Sequence, residues 1–490
     1  MKKLLMDILI KVNILKIIGD SKKWIEGISI HSKMVKKNII FVANQGINTD
    51  GHLFIIEAIQ NGANIIVCEK KPSFIQKYIT YVLVKDSIEA LGTISSNFYD
   101  NPTQKIKLVG ITGTNGKTSV ATILHCLFDK MGEKNILIST MGIKIMSKKI
   151  TTLHTTPNII EINKYLNISI QKGCKYAFME VSSHGIHQKR IKGLLFTGGI
   201  FTNITHDHLD YHKSFDNYLS TKRFFFENFL HKNTFALINV DDKNSHKIIK
   251  NVLAKIYFYG VKKKADFKIK ILKENINGNE LIMDKNKFFI SLIGKFNIYN
   301  LLASYATAII LLGEKKYEIL KKIKTIKPIK GRFEQFISYS GIRIIVDYAH
   351  NPNGLKTVLN TIKKIKKKEE QLICVIGCGG NRDKKKRSLM GKIVYDLCDR
   401  SIFTSDNPRE EDPQKILIDM KKFRSYLKKK DILTIVNRKE AIKKAIQLAK
   451  KKDIIVLAGK GHENYQEIKG IRYPFNDMKI AKTLLKNYNR

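Results

Sequence analysis

The run Gly113-Thr114-Asn115-Gly116-Lys117-Thr118-Ser119 is the part of the chain best suited to holding a phosphate. Glycines let successive backbone N–H groups turn toward one anion with no Cβ in the way. Lys117 can reach terminal phosphates, and the Thr118 hydroxyl suits Mg²⁺. The general phosphate-loop pattern wants a glycine five places before Gly116, where Ile111 stands, so this is a shorter variant. Glu180 closes an apolar run at Met179-Glu180-Val181. Alone it reads as a surface or capping residue, but behind a phosphate loop it is a candidate Mg²⁺ ligand, because hard cations take carboxylate oxygen. Asn203-Ile204-Thr205-His206-Asp207-His208-Leu209-Asp210-Tyr211-His212 gathers ionisable groups after another apolar run. Its histidines admit zinc, the neighbouring carboxylates favour Mg²⁺, and a solvated loop accounts for two or three of these residues. Composition alone never selects Lys222 from a chain with 88 Lys and Arg.

Three further turns follow apolar runs near the end of the chain: Gly377-Cys378-Gly379-Gly380-Asn381-Arg382, Asp406-Asn407-Pro408-Arg409 and Gly459-Lys460-Gly461-His462-Glu463. Each alone is a weak signal. If all lie at the carboxyl ends of strands in one sheet, they converge on one cleft. Two arginines and a glutamate there suit a zwitterionic amino acid, since arginine pairs carboxylate bidentately and glutamate takes ammonium.

The elements that must position these groups read as α/β throughout. A strand at Ile106–Thr112 precedes the phosphate loop, and Val120, Ile123, Leu124, Leu127, Phe128 and Met131 fall on one helical face after it. Strands at Tyr176–Val181, Gly199–Thr202 and Phe235–Val240 predict a buried, largely parallel sheet. Residues 256–295 suggest a small antiparallel insert turning at Asn277-Gly278-Asn279. Strands at Ile342–Asp347, Leu372–Gly377, Ser401–Ser405 and Asp453–Ala458 predict a second doubly wound sheet. The expectation is therefore three domains: a small mixed α/β domain over 1–103, a central parallel-sheet domain of the P-loop ATPase kind over 104–330, and a Rossmann-like domain over 331–490.

A formal charge of +45 raises a nucleic-acid partner. Lysine is spread along the whole chain in short clusters, however, as an AT-rich coding sequence gives, so no nucleic acid is required. A non-catalytic RNA-binding protein on a nucleotide fold remains the reading from a different class. Six scattered cysteines with no CxxC pair read as free thiols. No apolar run approaches the ~18 residues that span a bilayer, and no cleavable leader is evident. A cytoplasmic protein without membrane contact is expected.

Taken in order, these pieces resemble the Mur ligases over nearly the whole chain, and the short phosphate loop is that family's form. The nearest likeness is to the branch that joins meso-2,6-diaminopimelate to UDP-N-acetylmuramoyl-L-alanyl-D-glutamate in peptidoglycan synthesis; another Mur-type or a folylpolyglutamate-type ligase is the neighbouring alternative. The resemblance implies ATP and two Mg²⁺ ions, three small-molecule substrates and a monomer. Catalytic roles fall to Lys117, Glu180, His208 and Lys222. Thr118 and Glu180 match the ligands of one Mg²⁺, and His208 matches a ligand of the second. Lys222 matches a lysine that is carbamylated into an anionic ligand. Gly113 through Ser119, Asn300, Arg332 and Asp347 match ATP contacts. Thr155, Thr156, Ser182, Gln188 and Arg190 match residues that hold the UDP-linked peptide, with Ser32, Asn48 and Thr49 toward the uridine diphosphate. Arg382, Asp406, Asn407, Pro408, Arg409, Gly459 and Glu463 match the diaminopimelate pocket. The chain departs from the family where His31-Ser32-Lys33 replaces Asp-Ser-Arg: lysine keeps the charge and loses the bidentate fork.

Overall fold

Three sheets, of five, eleven and six strands, organise a computed structural model of the chain that describes residues 1–46, 49–423 and 432–487. In the first, Thr80–Val84, Ile65–Cys68, Ile39–Val42 and Gly27–Ser29 run parallel in that order, and Ile14–Ile18 pairs antiparallel on the edge. Its buried Ile40, Val67 and Val82 belong to the same core as Leu108, Ile162 and Ala177 of the middle region, so the two are packed together rather than tethered.

The central sheet is built around β1 (Lys107–Thr112), which leads into α1 (Lys117–Lys130). Val120, Ile123, Leu124, Leu127 and Phe128 are buried along α1, the face the periodicity predicts. Each such side chain contributes about 1.5–3 kcal/mol on leaving water. Beside β1 run β2 (Tyr176–Glu180) and β3 (Gly198–Phe201), both parallel to it. Glu180 pairs in register with Ile111 and Phe201 with Thr112, which sets the carboxyl ends of all three strands level with the phosphate loop. Behind β3 comes α2 (Phe215–Phe229), and α3 (Lys295–Leu312) packs against α1.

Two expectations need correcting here. Lys255–Gly260 is not part of an antiparallel insert: it pairs parallel with Phe235–Asn239 and with the start of Phe267–Asn275, continuing the main sheet, and the antiparallel ladders join Phe267–Asn275, Gly278–Met283 and Asn286–Ile290. The hairpin turns at Ile276-Asn277, and Gly278 opens the return strand at φ +154°, where a Cβ would meet the Ile290 carbonyl at 2.1 Å. The other concerns apolar length. The 18 residues of α3 do reach membrane-spanning length, with mean hydropathy 1.2, but the helix is largely buried against the sheet core. The sequence reading also passed over Asn135–Ser139 and the hairpin Gly142–Ile145/Lys148–Ile150, which complete one side of the sheet.

The last sheet holds β4 (Arg343–Asp347), which leads into α4 (Pro352–Ile365), then β5 (Leu372–Ile376), β6 (Arg400–Phe403) and β7 (Ile454–Ala458). These strands run parallel in the order β4-β7-β5-β6, with Glu334–Ile337 antiparallel outside β4 and Ile432–Thr434 parallel outside β6. All six cysteines are free thiols.

Candidate active site

The carboxyl ends of β1, β2 and β3 face those of β4, β5, β6 and β7 across a cavity of about 1060 Å³. On the central side the phosphate loop is over-determined. Gly113 has φ +145°, and a Cβ there would sit 1.9 Å from the Thr202 hydroxyl; Gly116 has φ +90°, and a Cβ would sit 2.5 Å from Asn300 Oδ1. Neither place admits a side chain without moving its neighbours. The residues after β3 hold the loop from below. The Thr114 amide donates to Asn203 O at 2.8 Å, and the Asn115 amide donates to Asn203 Oδ1 at 3.0 Å. The Thr202 hydroxyl donates to Asn115 O at 2.7 Å.

Lys117 is turned back onto its own loop, donating to Gly113 O at 2.9 Å and Thr114 O at 2.8 Å. Burial lowers its pKa, while Glu180 and Asp207 pull the other way. Glu180 is buried at the floor of the cleft, where it accepts from the Thr140 amide at 2.9 Å and the Thr140 hydroxyl at 3.3 Å. Among the described residues it forms no ion pair. A buried carboxylate with Lys117 near but not paired to it, beside a phosphate loop, is a fit donor for a hard divalent ion. No group of three or more His, Cys, Asp and Glu forms a ready-made metal cage among the described residues.

His208 stands in the cleft wall with φ +54°, and loss of solvent pushes its imidazole pKa down. Its ring lies 6.2 Å from that of Tyr218, and the Lys222 ammonium lies 4.7 Å from the same tyrosine ring. Lys222 is 1% exposed and donates to Gly113 O at 3.0 Å. Burial, reinforced by the charge of Lys117, drives its pKa well below the usual lysine range. Lys222 lies behind the phosphate loop and does not line the cavity in this conformation.

The groups expected to hold the UDP-linked peptide form one cluster beside β2. Thr156 Oγ1 donates to Glu180 O at 2.9 Å and receives the Ser182 amide at 3.0 Å. Arg190 donates to Thr156 O at 3.0 Å and also pairs with Gln188. Thr155 accepts from the Thr140 hydroxyl at 3.1 Å. Ser32 and Thr49 are not in this cleft: they lie in connections of the N-terminal region, where Ser32 opens a short 3-10 turn and its hydroxyl donates to Glu57 at 2.6 Å, and Thr49 is exposed. Asn48 lies outside the described residues.

The facing wall is tied directly to the loop. Arg332 donates to the Thr118 hydroxyl at 2.9 Å and lies 4.4 Å over the Tyr348 ring. Asp347 accepts from the Phe333 amide at 2.7 Å, and burial pushes its carboxyl up to about 6. Asn351, the cap of α4, donates to Asp207 at 3.0 Å and to Asn115 at 3.3 Å. Asn300 packs on Gly116 from α3.

At the other end of the cleft, Arg382, Asp406, Asn407, Arg409, Gly459 and Glu463 do converge, while Pro408 is buried behind them and does not line the cavity. Arg409 takes φ +51° and donates to Gly380 O at 2.8 Å, with Glu467 3.7 Å from its Nε. Asn407 donates to Glu463 at 2.9 Å. Three residues not singled out in the sequence bear on the site: Lys386 lines the cavity, Asn351 ties α4 to the loop, and Lys460 is buried behind Asn407 and Glu463. Lysine frequency hid the first and last; only the structure shows that Lys386 lines the cavity and that Lys460 is fully buried.

Comparison with known proteins agrees over the whole length. Family models match residues 24–99 (Mur ligase family, catalytic domain), 111–308 (Mur ligase middle domain) and 331–461 (Mur ligase, glutamate ligase domain). A UDP-N-acetylmuramoyl-L-alanyl-D-glutamate–2,6-diaminopimelate ligase of Cytophaga hutchinsonii is 49% identical, covering 98% of each chain. The protein of the same name from Bacteroides thetaiotaomicron is 46% identical over 98% of this chain and 99% of its own. A solved structure bearing that name superposes with TM-score 0.68 at 29% identity, covering all of both chains. A MurF ligase from Thermotoga maritima in complex with ADP shares the fold, with TM-score 0.64 at 20% identity over 94% of this chain and 98% of that one.

Proposed function

The chain belongs to the Mur ligase family, and we propose that within it the protein is the ATP-dependent ligase that adds meso-2,6-diaminopimelate to UDP-N-acetylmuramoyl-L-alanyl-D-glutamate. One observation carries the reading: a phosphate loop and a pocket of two arginines and two carboxylates line the same cavity. That arrangement lets a carboxylate be activated at one end and met by an amine from the other.

In this reading the side-chain carboxylate of the D-glutamyl residue attacks the γ-phosphorus of ATP, giving ADP and an acyl phosphate. Lys117 swings from its loop carbonyls to the transferring phosphoryl group, and Arg332 supplies a second cation from the facing wall. Thr118 and Glu180 are the residues for one Mg²⁺, and His208 with a carbamylated Lys222 for another; the ions would neutralise phosphate charge as it shifts. Carbamylation needs a neutral amine: Nζ bonds to the carbon of CO₂ and one proton leaves to water. The lowered pKa of Lys222 supports that step. Thr155, Ser182, Gln188 and Arg190 orient the peptide, braced by the buried Thr156, and Asn300 and Asp347 border the ATP site. The amine of diaminopimelate, held by Arg382, Asn407, Arg409 and Glu463, then attacks the acyl carbon. The tetrahedral adduct collapses to the amide and inorganic phosphate. Positioning supplies most of the rate.

Isotopic oxygen placed in the D-glutamyl side-chain carboxylate tests the route. Labelled inorganic phosphate is expected, one labelled oxygen per amide formed; unlabelled phosphate would rule out the acyl phosphate.

A further inference from the structure

Lys460 is fully buried at the carboxyl end of β7, within the cluster that forms the amino-acid pocket. Its ammonium donates to Asn407 Oδ1 at 2.9 Å and to Glu463 Oε2 at 3.1 Å, and lies 4.0 Å from Asp406 Oδ1. The Glu467 amide also donates to Asn407 Oδ1, at 2.9 Å, so both donors fix which way that amide points: oxygen toward Lys460, nitrogen toward Glu463. Glu463 Oε2 thereby receives two hydrogen bonds, while Oε1 receives none from the described residues. The free oxygen belongs to a residue that lines the cleft.

We propose that Lys460 is a positioning residue for the incoming amino acid: it fixes the Asn407 amide and one oxygen of Glu463, and leaves the other Glu463 oxygen open to accept the ligand's ammonium. This rests on the amino-acid-site reading above. Beside Glu463, Asp406 after β6 is anionic and Tyr348 after β4 and Tyr465 in Tyr465–Ile468 are neutral; Arg382 and Arg409 line the same cavity, but Arg409 is already engaged by Gly380 O and Glu467, and Lys460 is the cation bonded to Glu463. Burial and Asp406 already push the Glu463 pKa up, while Lys460 and the Asn407 bond hold it down. Losing the ammonium would move the carboxyl further toward its protonated form, which cannot accept an ammonium as an anion. A lysine suits the task, since its compact charge donates to two acceptors while standing 4.0 Å from a third, Asp406 Oδ1.

The test compares wild type, Lys460→Met and Lys460→Gln by steady-state kinetics for each substrate, with a thermal melt. The expected result is a rise of about 10- to 100-fold in KM for meso-diaminopimelate. The KM values for ATP and the UDP-dipeptide should be unchanged. As pH rises, the variants' KM for the amino acid should fall as Glu463 ionises, at higher pH than any such change in the wild type. Lys460→Gln keeps a donor without the charge and fills similar volume, so it carries the test if Lys460→Met does not fold. If Lys460→Gln also fails to fold, or if all three KM values rise together, the lysine is a structural prop and the proposal is overturned. An unchanged KM with a flat pH profile overturns it too. A wild type that uses ATP and dipeptide but ignores meso-diaminopimelate would instead refute the amino-acid assignment itself.

Discussion

The two ends of the cleft are built on different principles. The phosphate loop is fixed by its own backbone: two glycines at positive φ, amides tied to Asn203, and a Cβ excluded at 1.9 Å from Thr202. The amino-acid pocket is assembled from the ends of β5, β6 and β7 and held by charge, with Lys460, Asp406, Glu463, Arg409 and Glu467 balancing one another. A backbone-fixed site presents the same amides to any nucleotide. A charge-balanced site depends on which side chain stands at each position, so specificity belongs there.

Breaking the loop end should do the most damage. Lys117→Ala should lower kcat/KM about 10²–10³-fold, as removal of one pre-aimed electrostatic donor does, with the melt little changed. Near-normal turnover in a folded variant would show that the loop lysine is not the charge that counts. Lys222→Ala should lose a comparable factor, and a short-chain carboxylic acid in the buffer should restore part of it by replacing the anionic carbamate. Wild-type turnover without additive would make Lys222 a merely buried lysine.

Changes at the other end should alter choice before rate. Arg409→Ala should reduce the preference for meso-diaminopimelate over lysine by about 10²–10³-fold, measured as the ratio of kcat/KM values. The expected size lies at the modest end because Gly380 O and Glu467 already engage the guanidinium, so lysine binding does not strand it completely. An unchanged ratio would remove Arg409 from the selectivity account. The smallest effect belongs to Gly379→Ala. Its Cβ would come 3.1 Å from Arg409 Nη1, the end of a flexible side chain, so a rise of about fivefold in KM for the amino acid is expected, about 1 kcal/mol. The matching loop substitution, Gly113→Ala, should cost stability as well, about 1–3 kcal/mol, because backbone and Thr202 cannot step aside. Equal melts for the two alanine variants would contradict the distinction drawn between the ends.

The same distinction explains what the sequence revealed. The loop, the face of α1 and the strand before it are local, so spacing and periodicity exposed them directly. Glu180 was visible because it ends an apolar run, and the paired register with Ile111 put it where that run implied. Lys222 and Lys460 were not legible as chemistry. Both are lysines in a lysine-rich chain, and their burial comes from packing against segments more than 50 residues away, Gly113 and Asn407. Family resemblance singled out Lys222 and gave no reason to pick Lys460. The strands Asn135–Ser139, Gly142–Ile145 and Lys148–Ile150 escaped because each is only three to five residues long. Ser32 and Thr49, proposed for the uridine side, lie in connections of the N-terminal region outside the central cavity, so that role requires a ligand long enough to span both.

The most direct test of the account measures ADP release by the purified protein with ATP, UDP-N-acetylmuramoyl-L-alanyl-D-glutamate and, one at a time, meso-diaminopimelate, lysine, glutamate and alanine. The account predicts rapid release only when the UDP-dipeptide and meso-diaminopimelate are both present. Equal release with lysine, or release independent of the dipeptide, would contradict it.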